Sequence, residues 1–394
     1  MSNSFNLNGD KKEGNNEKKE ILEKIKLENI LYKSNPKIIN NNIYITDIID
    51  EKNINFKKEI YSKNKELYKN PIKIKFLKDM IKDIYSFYYL DNTFLVFKSI
   101  YKILFLIYSN RNKSIVFYNL IDNIKINEIK KAHNYDITNF RHYLDKSNKR
   151  DLIISISGFD NNIKLWNINN LDCIYNYEHI YKYGQLFSAC FLNYFNQIII
   201  LTSNSNFGNI ESIKVFDFNG HKLKEIDDSN DNTFYIDIYY DNQLNKNFII
   251  TGNFGYIKSY DYIENKIYHK YNANDNRSHN SIIINNYEEI IKLIESSIDG
   301  TIRIWNFHSG NLINKIKIKN ASFYDICLWN NEYLFVGCED GTIKLIELKT
   351  EKLIKELKSH NRKVLTIKKI IHPLYQNCLL TQGIDRKIKL WIMD

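Results

Sequence analysis

Short alternations of apolar and polar residues, rather than long helical periods, run through most of this chain. Segments of this kind, separated by Asn, Asp and Gly, predict β-strands that bury one face. One region contains four of them in succession, at residues 322–328, 332–337, 342–348 and 352–357. Ile198–Leu201 is apolar at every position, which predicts a strand buried on both faces. The pattern therefore predicts an all-β protein.

One phrase recurs along the chain and sets the period of these strands. It begins with an Asp and ends six residues later with a Trp, at Asp160–Trp166, Asp299–Trp305 and Asp385–Trp391. Weaker copies end at positions 118, 216, 260 and 346, so successive copies are 41 to 50 residues apart. Two of the weaker copies have Ile210 and Phe254 at the Asp position. A unit of about 40–45 residues is typical of a repeat whose unit is a small four-stranded sheet.

The phrases resemble those of the WD-repeat family of β-propellers, over residues 72–394. The pairs Ala132-His133 and Ser359-His360 stand where that family has Gly-His. The resemblance implies a buried hydrogen-bonded set of His, strand Ser or Thr, turn Asp and Trp, since buried polar groups require partners. The implied sets are His133, Ser157 (or Ser155), Asp160 and Trp166; Ser297, Asp299 and Trp305, with His279 at a shorter spacing; and His360, Thr381, Asp385 and Trp391.

The repeats imply a seven-bladed β-propeller of four-stranded blades. The last copy ends at Trp391 and supplies three strands, which leaves one sheet edge open. The segment Ile72–Lys78 precedes the first copy, and we expect it to complete the last blade and close the ring. Residues 1–20 are polar and are predicted to be a disordered tail. Residues 21–71 are an N-terminal extension with a partly helical pattern, and residues 72–394 are the propeller domain.

The repeat predicts the fold, but charge and composition leave the class of partner open. The formal net charge of +10 indicates affinity for nucleic acid or acidic partners. The chain is also rich in Asn, Lys, Ile and Tyr and has only 3 Pro, as a compositionally biased genome would produce. Because the lysines are dispersed along the sequence, we favour the compositional interpretation. The N-terminus has no apolar signal region, so we expect a cytoplasmic or nuclear protein without membrane insertion.

Sequence signatures of catalysis do not occur in the chain. It has no phosphate-binding loop, serine-hydrolase elbow, zinc-protease helix or dinucleotide fingerprint. His133 and His360 match structural positions of the repeat, and the turn Asp residues belong to different blades. We therefore expect no enzyme activity, no cofactor, no metal site and no small-molecule substrate.

The resemblance also points to residues that would meet a partner. In the family, partners often dock on the narrow face of the ring, near the central channel. The residues aligned just before the turn Asp are Phe159, Ile298, Glu339 and Ile384. Those aligned after the first apolar residue of the innermost strand are Tyr85, Thr138, Tyr235, Tyr324 and Leu365. Tyr is common at binding hot spots, but a chain with 29 tyrosines also places some there by chance, and both interpretations stand.

The leading functional hypothesis is a non-catalytic scaffold for protein–protein interactions within a multi-protein complex. The alternative is a ribonucleoprotein or ribosome-assembly subunit that contacts RNA through a basic surface. A salt-sensitive affinity for RNA separates the two, because phosphate contacts release counterions. A ubiquitin-ligase substrate receptor ranks lower, since Trp166 and Trp305 are followed by Asn and lack the expected Trp-Asp-x-Arg sequence.

Overall fold

The computed structural model describes residues 71–82, 94–182, 185–205, 212–226, 232–273, 277, 279–286 and 289–393. The predicted tail, all of the extension except residue 71, and Tyr85 lie outside these ranges. Within them the chain forms 28 β-strands and one 3-10 turn, Pro71–Lys73. The all-β prediction is confirmed.

The strands are grouped into seven four-stranded antiparallel sheets, numbered here as blades one to seven in chain order. Blades one to three are β2–β5 (Phe94–Lys98, Leu104–Ser109, Ile115–Asn119, Ile124–Ile129), β6–β9 (Ile137–Asp145, Arg150–Ser157, Asn162–Asn167, Asp172–Tyr177) and β10–β13 (Gln185–Tyr194, Gln197–Ser205, Ile213–Phe216, Lys222–Ile226). Blades four to six are β14–β17 (Tyr235–Asp241, Lys246–Gly252, Tyr256–Asp261, Lys266–Asn272), β18–β21 (His279–Asn285, Lys292–Ser297, Thr301–Asn306, Leu312–Lys317) and β22–β25 (Phe323–Leu328, Tyr333–Cys338, Thr342–Glu347, Lys352–Lys358). Blade seven is β26–β28 (Val364–His372, Gln376–Gly383, Lys387–Met393) with β1 (Ile74–Lys82) as its outer strand.

The innermost strands join the blades into a ring. Each contacts the innermost strand of the next blade, and β26 contacts β2, which closes the circle. Hydrogen bonds tie three of these strands together: Ser281 Oγ donates to Asp325 Oδ1 at 2.6 Å, and the Ile367 amide donates to Asp325 Oδ2 at 2.7 Å. The seven-bladed propeller predicted from the repeat is therefore confirmed.

The chain closes the ring with a strand from its N-terminal side. β1 pairs antiparallel with β28, with Ile74 opposite Met393 and Phe76 opposite Trp391. Ile74 is buried and packs in the cluster that contains Trp391 and Met393. The predicted closing strand is confirmed, although it begins at Ile74 and runs to Lys82.

The hydrophobic core lies between the blades. Ile302 and Ile304 of blade five, for example, pack with Leu334 and Val336 of blade six. A single blade cannot bury its own apolar faces, so each repeat depends on its neighbours for stability.

Antiparallel connections place two kinds of turn on one face of the ring. The first kind is the turn between the second and third strands of a blade, which contains the Asp of the repeat in the copies that have one. The second kind is the connection from an outer strand to the innermost strand of the next blade. We call this the Asp-turn face. Gly300 and Gly341 hold two of its turns with φ of +78° and +82°, in the left-handed region that glycine favours.

Candidate interaction surface

Blade seven has a complete hydrogen-bonded set. Trp391 Nε1 donates to Thr381 Oγ1 at 3.0 Å, and the same hydroxyl lies 3.0 Å from His360 Nε2. His360 Nδ1 lies 2.8 Å from Asp385 Oδ1. Burial by itself raises the pKa of Asp385, but the contacts with His360, the Asn361 amide and the charge of Lys389 together hold that pKa below its ordinary value. Thr381 is the hub of the set, because its one hydroxyl serves both the indole and the imidazole.

Blade two has part of this set, built around Ser155. His133 Nδ1 has no hydrogen-bond partner among the described residues, so the implied link from His133 to Asp160 is not made, and Asp160 Oδ1 instead accepts from the Asn162 amide at 3.3 Å. Trp166 Nε1 donates to Ser155 Oγ at 2.8 Å, and His133 Nε2 lies 2.7 Å from the same oxygen. Both bonds go to Ser155 rather than to Ser157, so the second of the two alternatives read from the sequence is the hub. Burial, and to a lesser extent the charge of Lys164, lower the pKa of His133 to about 3, so the imidazole is neutral.

Blade five replaces the hub hydroxyl with a carboxylate. Leu293 lies opposite Trp305, and Glu295, two residues later, holds the position that Ser155 and Thr381 hold in their blades. Glu295 accepts from Arg303 Nη1 at 3.2 Å and lies 2.7 Å from His279 Nδ1, and Arg303 Nη2 donates to Asp299 Oδ2 at 2.9 Å. The Trp305 indole nitrogen has no hydrogen-bond partner among the described residues. Ser297 Oγ accepts from the Asp299 amide at 3.3 Å.

These sets show what the titratable residues of the repeat do. His133, His279 and His360 each bond to a strand residue of the same blade, and Asp299 and Asp385 bond to Arg303 and His360. Across the described ranges, no group of three or more His, Cys, Asp or Glu residues is arranged to hold a metal ion. The hydrogen bonds within the blades give these His and Asp residues a structural role.

The residues predicted to meet a partner all lie on the Asp-turn face, where the structure describes them, but they differ in exposure. Phe159 is 43% exposed and Glu339 is exposed, whereas Ile298 and Ile384 are half-buried. Thr138, Leu365 and Tyr324 are buried, with 1%, 2% and 6% of their surface exposed. These three side chains therefore offer a partner little surface.

Two of the predicted tyrosines are held by neighbouring side chains. The half-buried Tyr235 donates its hydroxyl to Asp237 Oδ2 at 2.9 Å. Tyr324 lies with its ring centre 3.8 Å from Lys363 Nζ, and its hydroxyl donates to Glu339 Oε1 at 3.4 Å. The part of the Asp-turn face around blade six is therefore polar.

The same face carries a run of aromatic side chains over blades two to four, which we call the aromatic arc. Tyr135 and Phe159 lie with ring centroids 6.4 Å apart. Phe234 lies 5.3 Å from Phe187 and 4.7 Å from Phe254, in edge-to-face contacts. Three members are exposed: Tyr135 at 52%, Phe159 at 43% and Phe254 at 37%. The members of the arc are Tyr135, Phe159, Phe187, Phe234 and Phe254.

Sequence reasoning found only Phe159 of this arc. Phe187 is the bulged residue of β10, between Leu186 and Ser188, and Thr138 has the equivalent place in β6. Phe254 was a visible signal, because it stands where other repeats have Asp. It was interpreted as a degenerate copy of the repeat rather than as an exposed aromatic residue.

Comparison with known proteins supports the resemblance to WD repeats, but the matching segment covers only part of the chain. No protein-family model matches the sequence. A stretch of 111 residues is 24% identical to the U3 small nucleolar RNA-associated protein 21 homolog of Schizosaccharomyces pombe. This match covers 28% of the present chain and only 12% of that relative. In the part of the chain that the structure describes, no helix has the length and apolarity needed to cross a membrane. The chain is thus a seven-bladed β-propeller, consistent with the WD-repeat resemblance and similar over part of its length to an RNA-associated protein.

Proposed function

We propose that this protein is a non-catalytic scaffold that holds partner proteins within a multi-protein complex. The aromatic arc is the observation that carries this proposal. Exposed aromatic side chains gathered on one surface mark interaction sites, because they bury a large area at little cost in conformational entropy. The ring beneath them is rigid, since each blade is packed between two others.

The non-catalytic part of the proposal rests on the hydrogen-bonded sets. His133 and His360 are buried and engaged with hydroxyl or carboxyl groups of their own blades. A general acid or base must reach a substrate. These imidazoles are instead used to fix the turns of the Asp-turn face.

A second candidate function is direct contact with RNA as a subunit of a ribonucleoprotein or ribosome-assembly complex. The partial similarity to a protein named as RNA-associated favours it, together with the net charge of +10. This function would place the protein in the nucleus, whereas the scaffold function alone fits the nucleus or the cytoplasm.

The scaffold proposal is tested with two double variants of the full-length tagged chain, purified from its own cells and compared by quantitative mass spectrometry. The first, Phe159→Ala with Phe254→Ala, removes two exposed members of the arc. The matched control, Tyr101→Ala with Phe195→Ala, removes two aromatic residues that are 41% and 84% exposed on the opposite face. Circular dichroism and thermal unfolding check that both variants fold.

We expect the arc variant to lose a reproducible set of co-purifying proteins by about tenfold, which corresponds to about 1.4 kcal/mol of binding free energy. The control variant should keep that set at the wild-type level. An arc variant that folds and retains every partner would overturn the assignment of the docking site to this face.

A further inference from the structure

The lysines of this chain are dispersed in the sequence but concentrated on certain outer strands of the ring. The outer strands of blades four and five, β17 and β21, each have two lysines and no acidic residue. The outer strands of blades six and seven, β25 and β1, each have three lysines and one acidic residue. Each of these four neighbouring strands therefore has an excess of two positive charges. We call this surface the lysine belt.

The acidic residues of the belt are already paired with lysines from the adjoining strands. Glu356 of β25 pairs with Lys344, and Asp79 of β1 pairs with Lys387 at 3.2 Å. The lysines of the outer strands are mostly exposed, and Lys266, Lys315 and Lys352 have no ion-pair partner among the described residues. These three side chains therefore face solvent without an ion pair in the described part of the chain.

Contacts between blades make the belt continuous. In blade four, Tyr271 of β17 donates its hydroxyl to the Phe307 carbonyl of blade five at 2.8 Å. Ile316 of β21 packs in the same cluster as Ile346 of blade six. Lys355 of β25 donates to the Ile72 carbonyl at 2.7 Å, beside the start of β1. The four strands thus follow one another around the rim.

The other three blades do not share this charge. The outer strand of blade one has one lysine and one glutamate, which pair as Lys125 and Glu128 at 2.5 Å. The outer strand of blade two has an aspartate and no lysine. In blade three, Lys222 pairs with Glu225 at 2.8 Å. The rim is basic over blades four to seven and close to balanced over blades one to three.

Protection of open sheet edges does not explain this asymmetry. Charged side chains on edge strands prevent edge-to-edge pairing. All seven outer strands are edges and need the same protection, yet an excess of two positive charges is confined to four neighbouring blades. The sign and the clustering indicate a polyanionic ligand that extends past several blades.

We propose that the lysine belt binds the phosphate backbone of RNA along the rim of blades four to seven. This inference rests on the second candidate function, direct contact with RNA, and assigns that contact to a surface. A nucleic acid strand has a regular series of negative charges that can follow the repeated lysines from blade to blade, and neutralising them releases counterions. The partial similarity to an RNA-associated protein favours RNA over an acidic protein as the polyanion.

The test uses purified full-length protein and a fluorescein-labelled single-stranded RNA of about 20 nucleotides, with binding followed by fluorescence anisotropy over a range of salt concentrations. The belt variant is Lys266→Gln, Lys315→Gln and Lys352→Gln, one exposed lysine in each of three blades. The control variant is Lys125→Gln, Lys130→Gln and Lys222→Gln, which removes three exposed lysines near the outer strands of blades one and three. Both variants lower the net charge by the same amount, so an effect of net charge alone would weaken RNA binding equally in the two.

For the wild-type protein we expect affinity that falls steeply with salt. The belt variant should bind about tenfold more weakly near physiological salt, and the slope of log affinity against log salt should fall by about 2, because each single-strand phosphate contact contributes about 0.7. The control variant should keep the wild-type slope. Equal losses in both variants, or wild-type protein that binds no RNA even at low salt, would overturn the proposal. So would a belt variant that keeps the wild-type RNA affinity and the wild-type salt slope. Because no other protein is present, these results do not depend on the scaffold test.

Discussion

At the scale of single residues, one strand position supplies the hydrogen-bond partner of the His in three of the blades, and of the Trp in two of them. That position lies two residues beyond the one paired with the Trp, and it is Ser155, Thr381 or Glu295. The resemblance to WD repeats implied the His, Asp and Trp of the sets in blades two and seven, and of blade five with His279 at a shorter spacing. It left Ser155 and Ser157 as alternatives in blade two, because choosing between them requires the strand register. The carboxylate hub of blade five was missed for the same reason.

Removing the hub hydroxyl of blade seven should destabilise the protein. Thr381→Val leaves the indole N–H of Trp391 and a nitrogen of His360 without their shared partner, so we expect a loss of about 2–3 kcal/mol in the free energy of unfolding. Thr366→Val is the matched control, because Thr366 is equally buried and its hydroxyl has no hydrogen-bond partner among the described residues. Urea titrations of both variants measure the difference. Equal losses would show that Thr381 acts through packing alone.

The neutral His133 should make the stability of the protein depend on pH. Its pKa is lowered from 6.5 to about 3 in the folded state, so below pH 6.5 the unfolded chain binds the proton first. Stability should therefore decrease as pH falls from 6.5 toward 3. At 1.36 kcal/mol per pKa unit, the contribution between pH 6.5 and 5 is about 2 kcal/mol. His133→Gln should be less sensitive to pH by this amount when unfolding is measured at both pH values. Parallel pH profiles for the two proteins would exclude His133 as the source.

At the scale of strands and blades, the sequence predicted the repeated strands and the closing strand but not the bulges. The Asp-to-Trp phrases located third strands such as β8, β20 and β28, because a turn followed by an alternating segment has a strong local signal. The closing strand was predicted because the last repeat lacked a fourth strand. The bulge at Phe187 was not predicted, since a bulge depends on pairing with another strand. The first described strand of blade one, Phe94–Lys98, lies downstream of Tyr85, which the alignment had placed in the innermost strand.

The closing strand should be held by its buried side chains. Ile74→Ala removes apolar atoms from the cluster that contains Trp391 and Met393, and we expect it to lower the free energy of unfolding by about 2–5 kcal/mol. Ile72→Ala is the control, because Ile72 is 38% exposed just before the strand, and its effect should stay within about 0.5 kcal/mol. Urea unfolding gives the energies, and light scattering reports any association through a newly exposed edge of β28. Similar losses for both variants would mean that β1 contributes little to closure.

At the scale of the whole molecule, the ring gathers residues that are far apart in the sequence. Outer strands recur once per repeat, so their lysines are spread over the chain, and the sequence favoured a compositional origin for the charge. Only the closed ring brings β17, β21, β25 and β1 to neighbouring positions on the rim. The aromatic arc arises in the same way, from turns, connections and a strand bulge of three successive blades. The local sequence pattern predicts single strands and turns. It does not predict which side chains from different repeats share a surface in the closed ring.

The arc and the belt should act independently, because they occupy different surfaces and share no residue. Phe254 and Lys266 both belong to blade four, but one lies in a turn of the Asp-turn face and the other at the start of the outer strand. Substitutions without shared partners usually have additive effects. The Phe159→Ala, Phe254→Ala variant should therefore keep wild-type RNA affinity within about twofold, and the belt variant should retain its co-purifying proteins after nuclease treatment. A combined variant should show both losses, each of the same size as in the single-surface variant. A loss of RNA affinity in the arc variant would instead indicate one continuous site around blade four, in which protein and RNA partners compete for the same edge of the ring.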